Sequence, residues 1–407
     1  MRHANLSPAR RAVSLSAAGI ALIAVSYGLA RFAYGLFAPS FRSAFDLDSA
    51  ATGAIASESY LAYCAGVAVA TFATPRLGAR AVAVGAGLAA TLGTALIGLA
   101  PDVALLAVGV IVAGTSTGIA SPPLAHAVSH GVAPRYRDRT QTVINAGTGL
   151  GVMVSGPVAL LFADQWRTAW LAFSLLAALA TIWVACAVPA ARVRAVPSPR
   201  PGRTGRMPRR GAGRLGAAAA LAGAGSAAMW TFGQDLLTES TGGVLATVAW
   251  IVLGACGLLG AAAGDLVRRW GLATTWAVLV LLMAASTALI AVAPGIPALA
   301  LLTSAVFGAV YIAATGVLLL WSVDVFDDAP ARGVGTAFLL LALGQAAAAP
   351  AWGLVADAAG TPVAFFAAAA VGLVSLVMRP SQSSERRTVP RSGRGALAGT
   401  APEDDPG

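Results

Sequence analysis

The most constraining feature of this sequence is a series of twelve long apolar runs that are almost free of charge. Each run has about 20 residues, the length that an α-helix needs to cross a bilayer. Charged residues make up only 11% of the chain, too few to cover the surface of a soluble protein of this size. The alternating pattern of a membrane β-barrel is absent from the sequence. The sequence therefore predicts an all-α integral membrane protein.

The runs set the boundaries of twelve predicted helices. They lie at 14–37, 50–73, 80–100, 103–126, 141–162, 168–188, 215–238, 243–264, 272–293, 298–321, 333–356 and 362–379. The first run follows Arg10-Arg11 but has no cleavage site, so we interpret it as an uncleaved helix and not as a signal peptide. We therefore predict an N-terminal tail, a six-helix bundle, a linker, a second six-helix bundle and a disordered C-terminal tail, at 1–13, 14–188, 189–214, 215–379 and 380–407.

The distribution of arginine predicts the orientation of the helices. The chain has no lysine, and 24 of its 27 basic residues lie in one set of alternate loops and in the two tails. The opposite loops hold only Arg42 and Arg167, and Arg31 lies within the first run. Loops rich in Arg stay in the cytoplasm, so both termini and the linker at 189–214 are predicted to be cytoplasmic. That linker is basic and rich in Pro, which is typical of a flexible segment lying against anionic lipid.

The chain also repeats itself with a displacement of 193 residues. Residues 94–101 read TALIGLAP, and residues 287–294 read TALIAVAP. The same displacement relates Arg76-Leu77-Gly78 to Arg269-Trp270-Gly271, Arg139 to Arg332, Gly151 to Gly344, and Pro157 to Pro350. Both copies of the first of these loops lie on the Arg-rich side, so each copy holds an even number of helices. The two copies are therefore predicted to be parallel, related by an axis along the membrane normal.

Two parallel six-helix halves joined by a basic loop resemble the major facilitator superfamily (MFS) of secondary transporters. The resemblance covers roughly residues 14–379. It implies a solute site between the halves near mid-membrane, reached from alternate sides as the halves rock. After its second helix that family carries a G-x-x-x-D-R-x-G-R-R-like loop, and this chain reads TFATPRLGAR. The match keeps Arg76, Gly78 and Arg80, but Pro75 stands in place of the Asp to which a gating ion pair is ascribed.

Two further segments carry the resemblance. The second copy of the loop reads GDLVRRWG and supplies the other predicted gating residues of the cytoplasmic side, Asp265, Arg268 and Arg269. GTGLGVMVSGP in the fifth run resembles the Gly-rich, Gly-Pro-ending motif of the family's antiporters. It predicts close packing at Gly147, Gly151, Gly156 and Pro157. Two Leu residues replace its usual closing Gly pair, and the partial match favours efflux.

A charge inside a bilayer is costly, so Arg31 is the first candidate for the solute site. It lies about 25 Å from the cytoplasmic end of its helix at 1.5 Å per residue. Tyr27 and Tyr34 share its helix face, because they lie four residues before and three after it. Such a face suits a carboxylate or an aromatic ring. The alternative is that Arg31 reaches the outer interface and Tyr34 joins an aromatic belt.

Glu58 lies at a similar predicted depth in the second helix and is the candidate for proton coupling. We hypothesise that it pairs with Arg31, and that protonation or solute binding breaks the pair. A carboxyl group in apolar surroundings holds its proton more readily, as a proton carrier requires. The alternative is a structural ion pair that keeps both charges away from lipid.

The seventh helix, the counterpart of the first, supplies the opposite wall. Helical four-spacing places Trp230 with Gln234, and Thr231 with Asp235. The alternative for Asp235 is an outer-end residue in water. Weaker candidates are Asn145, Tyr311 and Gln345, which are polar groups in apolar runs.

Other motifs do not support an enzyme. GAGRLG at 211–216 has no strand before it, and GTSTG at 114–118 lies within a predicted helix. His126 and His130 are four residues apart but lack a third ligand, so neither a metal nor a cofactor is predicted. The net charge of +10 does not indicate nucleic-acid binding, because the arginines lie in short patches between apolar runs.

The predicted function is therefore secondary active transport of a small organic solute by a monomer in the plasma (inner) membrane. Proton coupling is the simplest energy source, because the sequence contains no nucleotide-binding motif. The alternatives are an uptake permease or facilitator of a small metabolite and, more remotely, a membrane receptor or an intramembrane enzyme.

Overall fold

A computed structural model of the chain describes residues 8–162, 165–188, 211–326 and 330–380. Within these ranges the chain is helical, without strands, and twelve helices are long and apolar enough to cross a membrane. They are α1 Val13–Leu36, α2 Ser49–Leu77, α3 Ala79–Gly98, α4 Val103–Gly131, α5 Val143–Leu161, α6 Trp166–Ala187, α7 Ala212–Thr241, α8 Gly243–Trp270, α9 Leu272–Val292, α10 Pro297–Val325, α11 Arg332–Ala359 and α12 Thr361–Met378.

All twelve helices predicted from the apolar runs are present, and several extend further towards the Arg-rich side. The second reaches Leu77, where the apolar run ends at 73, and the eighth reaches Trp270, where the run ends at 264. The extensions carry Arg76, Arg268 and Arg269, whose charges are exposed. A helix continues beyond its apolar run because its own backbone bonds do not require apolar side chains. Most of the linker at 189–214, and nearly all of the tail at 380–407, lie outside the described residues.

Small residues bring the helices of each half into backbone contact, as membrane helices require. A Cβ on Gly147 or Gly151 would lie 2.7 or 2.2 Å from a backbone oxygen of α1, so α5 packs directly on α1. A Cβ on Gly344 would lie 2.0 Å from the backbone oxygen of Ala220, so α11 packs on α7 in the same way. Gly156 instead faces Ile251 of α8 across the two halves. Of the residues predicted to pack helices, Gly147 and Gly151 therefore lie at the α1–α5 interface, and Gly156 lies at the α5–α8 interface.

Equivalent positions of the two copies have the same local structure. Gly78 and Gly271, 193 residues apart, have φ of 85° and 78° and ψ of 153° and 161°, a conformation that is essentially restricted to glycine. Thr94 and Thr287 are both buried, and each donates its hydroxyl to the carbonyl four residues earlier. These matches are what two copies of one six-helix unit would produce.

The close α1–α5 contact predicts that Gly151→Ala destabilises the protein. The new methyl group would overlap the backbone oxygen of Ala24, and such overpacking costs about 1–3 kcal/mol. Gly85→Ala is the matched control, because a Cβ on Gly85 of α3 has no atom within 4 Å. Thermal unfolding of the purified variants in detergent should show a lower midpoint for Gly151→Ala alone. Equal midpoints for the two variants would contradict the packing.

Candidate functional site

The centre of the molecule holds a buried arginine. Arg31 is 7% exposed and lies in a nine-residue π-helical segment of α1, Ala24–Phe32. Its Nη2 donates to Oε1 of Gln345 on α11, at 3.0 Å. Gln345 in turn donates through Nε2 to the hydroxyls of Tyr311, at 3.2 Å, and Ser226, at 3.3 Å, which fixes the orientation of its amide. A hydrogen-bond network thus joins the first half to the second.

Aromatic rings surround the guanidinium of Arg31. Its central carbon lies 4.8 Å from the ring centre of Tyr60 and 4.7 Å from that of Tyr63, both on α2. Next to it, Phe32 of α1 stacks on Trp230 of α7 with the ring centres 4.0 Å apart. A desolvated cation over an aromatic face gains about 2 kcal/mol or more. The rings therefore offset part of the cost of burying Arg31, without neutralising its charge.

A small cavity lies beside Arg31, between α1 and α2 of the first half and α7 of the second. Counted as the space open to the centre of a water molecule, its volume is about 10 Å³, which is room for about one water. We call it the Arg31 cavity. Its lining residues are Arg31, Phe32, Tyr34, Gly35, Ala56, Ser59, Tyr60, Trp230 and Thr231.

Polar atoms in the lining of the Arg31 cavity are buried without a hydrogen-bond partner in the described part of the chain. They include Nε of Arg31, Nε1 of Trp230 and Oγ of Ser59. A buried unpaired polar group costs free energy, so such a cluster is unusual in a purely structural core. Chemically, the cavity offers a positive charge and several donors beside flat apolar surfaces.

The two tyrosines predicted to share a face with Arg31 are both held by polar contacts inside the first half. The hydroxyl of Tyr27 is 2.9 Å from Oγ of Ser121, and its ring meets Tyr63 edge to face at 6.4 Å. Tyr34 is buried and donates to the backbone oxygen of Thr52 at 2.9 Å. Tyr34 therefore lies inside the molecule and not in an aromatic belt at its surface.

The hypothesised pair of Arg31 and Glu58 is not present in this structure. Arg31 bonds to the amide of Gln345, and Oε2 of Glu58 has no hydrogen-bond partner among the described residues. Glu58 lies on the same stripe of α2 as Ala54, Leu61 and Ala65, all of which are exposed. Residue counting estimated its depth but not the direction in which it faces, and this is why the pairing hypothesis fails here.

Asp235 pairs across the two halves with Arg42, a residue that the sequence patterns did not single out. Asp235 is 5% exposed, so it is not an outer-end residue in water. It accepts a charge-assisted hydrogen bond from Nη1 of Arg42, which follows α1, and Glu239 lies 3.9 Å from the same nitrogen. The partners are 193 residues apart, the displacement of the repeat. Equivalent residues can touch only near the axis that relates the two copies, so this pair marks that axis.

Other contacts close the same end of the molecule, where α1 ends and α2 begins. Both carboxylate oxygens of Asp357 on α11 accept from the first backbone N–H groups of α2, at Ser49 and Ala50, at 3.0 and 2.8 Å. A Cβ on Gly35 would lie 1.9 Å from the backbone oxygen of Trp230, so α1 and α7 are in direct contact. We call this the α1–α2 end.

The other predicted site residues lie away from the Arg31 cavity. The amide of Gln234 lies against Thr247 of α8, at 3.5 Å. Pro157 is exposed, and Asn145 accepts from Gln141, four residues before it.

The charged residues predicted at the cytoplasmic gating loops are exposed, Arg80 and Arg269 among them. Arg76 donates to the backbone oxygen of Phe72. Asp265 and Arg268 pair with each other at an exposed position of α8. An exposed pair of this kind contributes little to stability.

The comparison with protein families identifies the chain. A family model described as uncharacterised MFS-type transporter YbfB matches residues 23–379. The chain belongs to this family. It is therefore a multi-pass membrane transporter of the major facilitator superfamily, as the resemblance of its repeats and loops predicted. A comparison with curated protein sequences finds no significant match.

Solved structures share the fold of this MFS chain. A point mutant of the nucleoside transporter NupG superposes with a TM-score of 0.72 at 13% identity, over 92% of this chain and 100% of that one. The xylose transporter XylE from E. coli, in an inward open conformation, gives a TM-score of 0.71 at 13% identity, over 90% of this chain and 94% of that one. A POT family transporter in complex with 5-aminolevulinic acid gives 0.73 at 13% identity, over 91% and 95%. At these identities the likeness concerns the fold.

Proposed function

We propose that this MFS transporter carries out secondary active transport of a small organic solute through the Arg31 cavity. The observation that carries the proposal is the hydrogen bond from Arg31 of the first half to Gln345 of the second, at 3.0 Å. It lies beside a cavity that both halves line, with room for about one water, and the lining residues Arg31, Ser59 and Trp230 carry donors without a partner in the described part of the chain. In this conformation the cavity is too small for an organic solute, so the halves must separate for binding.

Alternating access at this site uses the α1–α2 end as one gate. With both termini in the cytoplasm, as the arginine distribution predicts, this end faces outwards and the conformation is closed to the exterior. Opening requires the loss of the Arg42–Asp235 pair and of the bonds from Ser49 and Ala50 to Asp357. The bundles at 14–188 and 215–379 are the moving bodies, and the exposed arginines Arg76, Arg80 and Arg269 lie at the opposite gate.

The experiment that tests transport works even when the solute has not been identified. Proteoliposomes are loaded with a small-molecule cell extract, a pH gradient is imposed, and mass spectrometry follows each solute in the external buffer. We expect at least one solute to be redistributed by the natural protein and not by Arg31→Gln. The absence of any redistributed solute, with the reconstituted protein still folded, would exclude secondary transport and favour a receptor or an enzyme.

The direction of the pH gradient that drives movement distinguishes efflux, an uptake permease and a facilitator. Efflux by proton exchange, which the partial Gly-Pro motif favours, requires solute and protons to move in opposite directions. An uptake permease moves them together, and a facilitator ignores the gradient.

Glu58 remains the candidate proton carrier, because it lies in a membrane-spanning helix and one of its carboxylate oxygens is buried without a hydrogen-bond partner in the described part of the chain. We predict that Glu58→Gln reduces uphill, pH-driven transport by at least about tenfold while leaving solute exchange at equal pH intact. Asp102→Asn at the start of α4 is a matched control, because this exposed cap lies outside the helix cores. Full pH-driven transport by Glu58→Gln would eliminate the carrier role.

A further inference from the structure

We propose that the Arg31 cavity binds a small monocarboxylate with a flat apolar body. The inference rests on the proposed transport function, because it names the class of solute that the site would carry. We argue it from the charge of Arg31, from nearby donors without a partner among the described residues, and from the aromatic rings around the guanidinium.

The first step concerns the charge of Arg31. Its guanidinium is buried, and its hydrogen-bond acceptor is the neutral amide oxygen of Gln345. Within the described ranges no carboxylate forms an ion pair with it: Asp235 pairs with Arg42, and Glu58 forms no ion pair with Arg31. A buried cation without a counter-charge is strongly unfavourable, and nearby rings do not neutralise it. A ligand that brings one negative charge would relieve this cost, whereas a dianion would be left with an unpaired charge.

The second step concerns the unpaired hydrogen-bonding atoms. Nε of Arg31 and Nε1 of Trp230 have no partner among the described residues, and both can only donate. Ser59 also lines the cavity, and its hydroxyl can donate. The missing partner must therefore be an acceptor, and two acceptor oxygens in one plane match the planar guanidinium best. A carboxylate has both properties, whereas an amine or an alcohol lacks the charge.

The third step concerns the body of the ligand. Phe32 and Trp230 come from different halves and stack at 4.0 Å, directly beside Arg31. Separation of the halves parts these two rings, and a flat apolar group can then occupy the space between them. Tyr60 and Tyr63 provide further ring surface on the α2 side. The site thus offers one charged end and one flat apolar end.

Binding of benzoate to the purified full-length protein tests the proposal, with benzamide as the uncharged ligand of the same shape. We expect benzoate, phenylacetate and cinnamate to raise the midpoint of thermal unfolding by several degrees at millimolar concentration. The affinity for benzoate should exceed that for benzamide by about 10- to 100-fold, since the carboxylate bonds to a charged donor. No shift with any of the three carboxylates, or an equal shift with benzamide, would overturn the proposal.

Two substitutions of Gln345 separate the charge argument from a structural role. Gln345→Glu supplies Arg31 with an internal carboxylate, and the hydroxyls of Tyr311 and Ser226 can donate to it in turn. We expect this variant to unfold at a higher temperature than the natural protein and to lose its response to benzoate. Gln345→Met has a similar length without a charge. It removes the same amide but gives Arg31 no internal carboxylate, so it should keep a larger response to benzoate than Gln345→Glu. An undiminished response in Gln345→Glu, or equal loss in both variants, would overturn the proposal.

The outcome for the ligand class is distinct from the outcome for transport. Benzoate binding without flux in proteoliposomes would support the site and remove the transport function. Flux of neutral solutes by a protein that does not respond to the three carboxylates would leave transport in place and overturn the ligand class.

Discussion

Arg31→Gln is expected to abolish transport while raising the thermal stability of the protein. In the natural protein Arg31 is a buried cation whose acceptor, Gln345, is neutral and whose Nε has no partner among the described residues. Removing the charge removes its desolvation cost, so the midpoint of unfolding should increase. The same change removes the charged donor that the solute requires. Loss of such a buried partner costs about 2 kcal/mol or more, so flux should decrease by at least about 30-fold.

Flux of the solute found with extract-loaded liposomes and thermal unfolding of the same preparation together measure this prediction. Arg167→Gln is the matched control, because Arg167 is exposed at the start of α6 and donates to the backbone oxygen of Ala100. The control should transport normally. A flux through Arg31→Gln equal to that of the natural protein would contradict a role of Arg31 in the solute site. Loss of flux together with a lower midpoint of thermal unfolding would indicate that Arg31 is needed for folding.

Reversal of either charge in the Arg42–Asp235 pair is expected to open the α1–α2 end and stop transport. Each single reversal brings two like charges together at a partly buried position, which costs several kcal/mol. Arg42→Asp should be the more severe change, because the new Asp would face both Asp235 and Glu239. Asp235→Arg keeps Glu239 as a compensating anion. The double reversal should restore most of the flux, because the two positions are equivalent in the repeat and exchange places about its axis.

A cysteine placed near the gate reports its opening. Tyr34→Cys is introduced into a protein whose three natural cysteines are replaced by Ala. In the Arg42→Asp and Asp235→Arg variants, the new cysteine should react faster with a thiol reagent added at the α1–α2 end. The double reversal should react as slowly as the unreversed protein. Independent, additive losses from the two reversals would show that Arg42 and Asp235 do not act as a pair.

The sequence was sufficient to predict the helices and their duplication. A run of about 20 apolar residues has one stable solution in a bilayer, so the twelve spans followed from hydropathy alone. The displacement of 193 residues correctly related Gly78 to Gly271 and Thr94 to Thr287, whose conformations and hydrogen bonds agree. Applied to charged residues, the same displacement relates Arg42 to Asp235, but their contact follows only from the structure.

The surroundings of Arg31 could not be predicted in the same way. Helical spacing places residues on a common face but does not show which helix that face meets. Glu58 lies two residues from Tyr60 on α2, yet Tyr60 meets the guanidinium and Glu58 does not. The π-helical segment that carries Arg31 also changes the register of α1, and no sequence rule predicts such a segment. Tyr60, Tyr63 and Ser59 were missed because no pattern in the sequence shows that their face of α2 meets Arg31.

The most direct measurement of alternating access is the reactivity of a cysteine at Ser59, which lines the Arg31 cavity. Ser59→Cys, with the natural cysteines replaced, is exposed to a small membrane-impermeant thiol reagent on one side of oriented vesicles and then on the other. We expect modification from both sides. Asp235→Asn should increase the rate from the α1–α2 end and decrease the rate from the opposite end. Modification from one side only in both backgrounds, or from neither side while the unfolded protein reacts, would contradict a central site with alternating access.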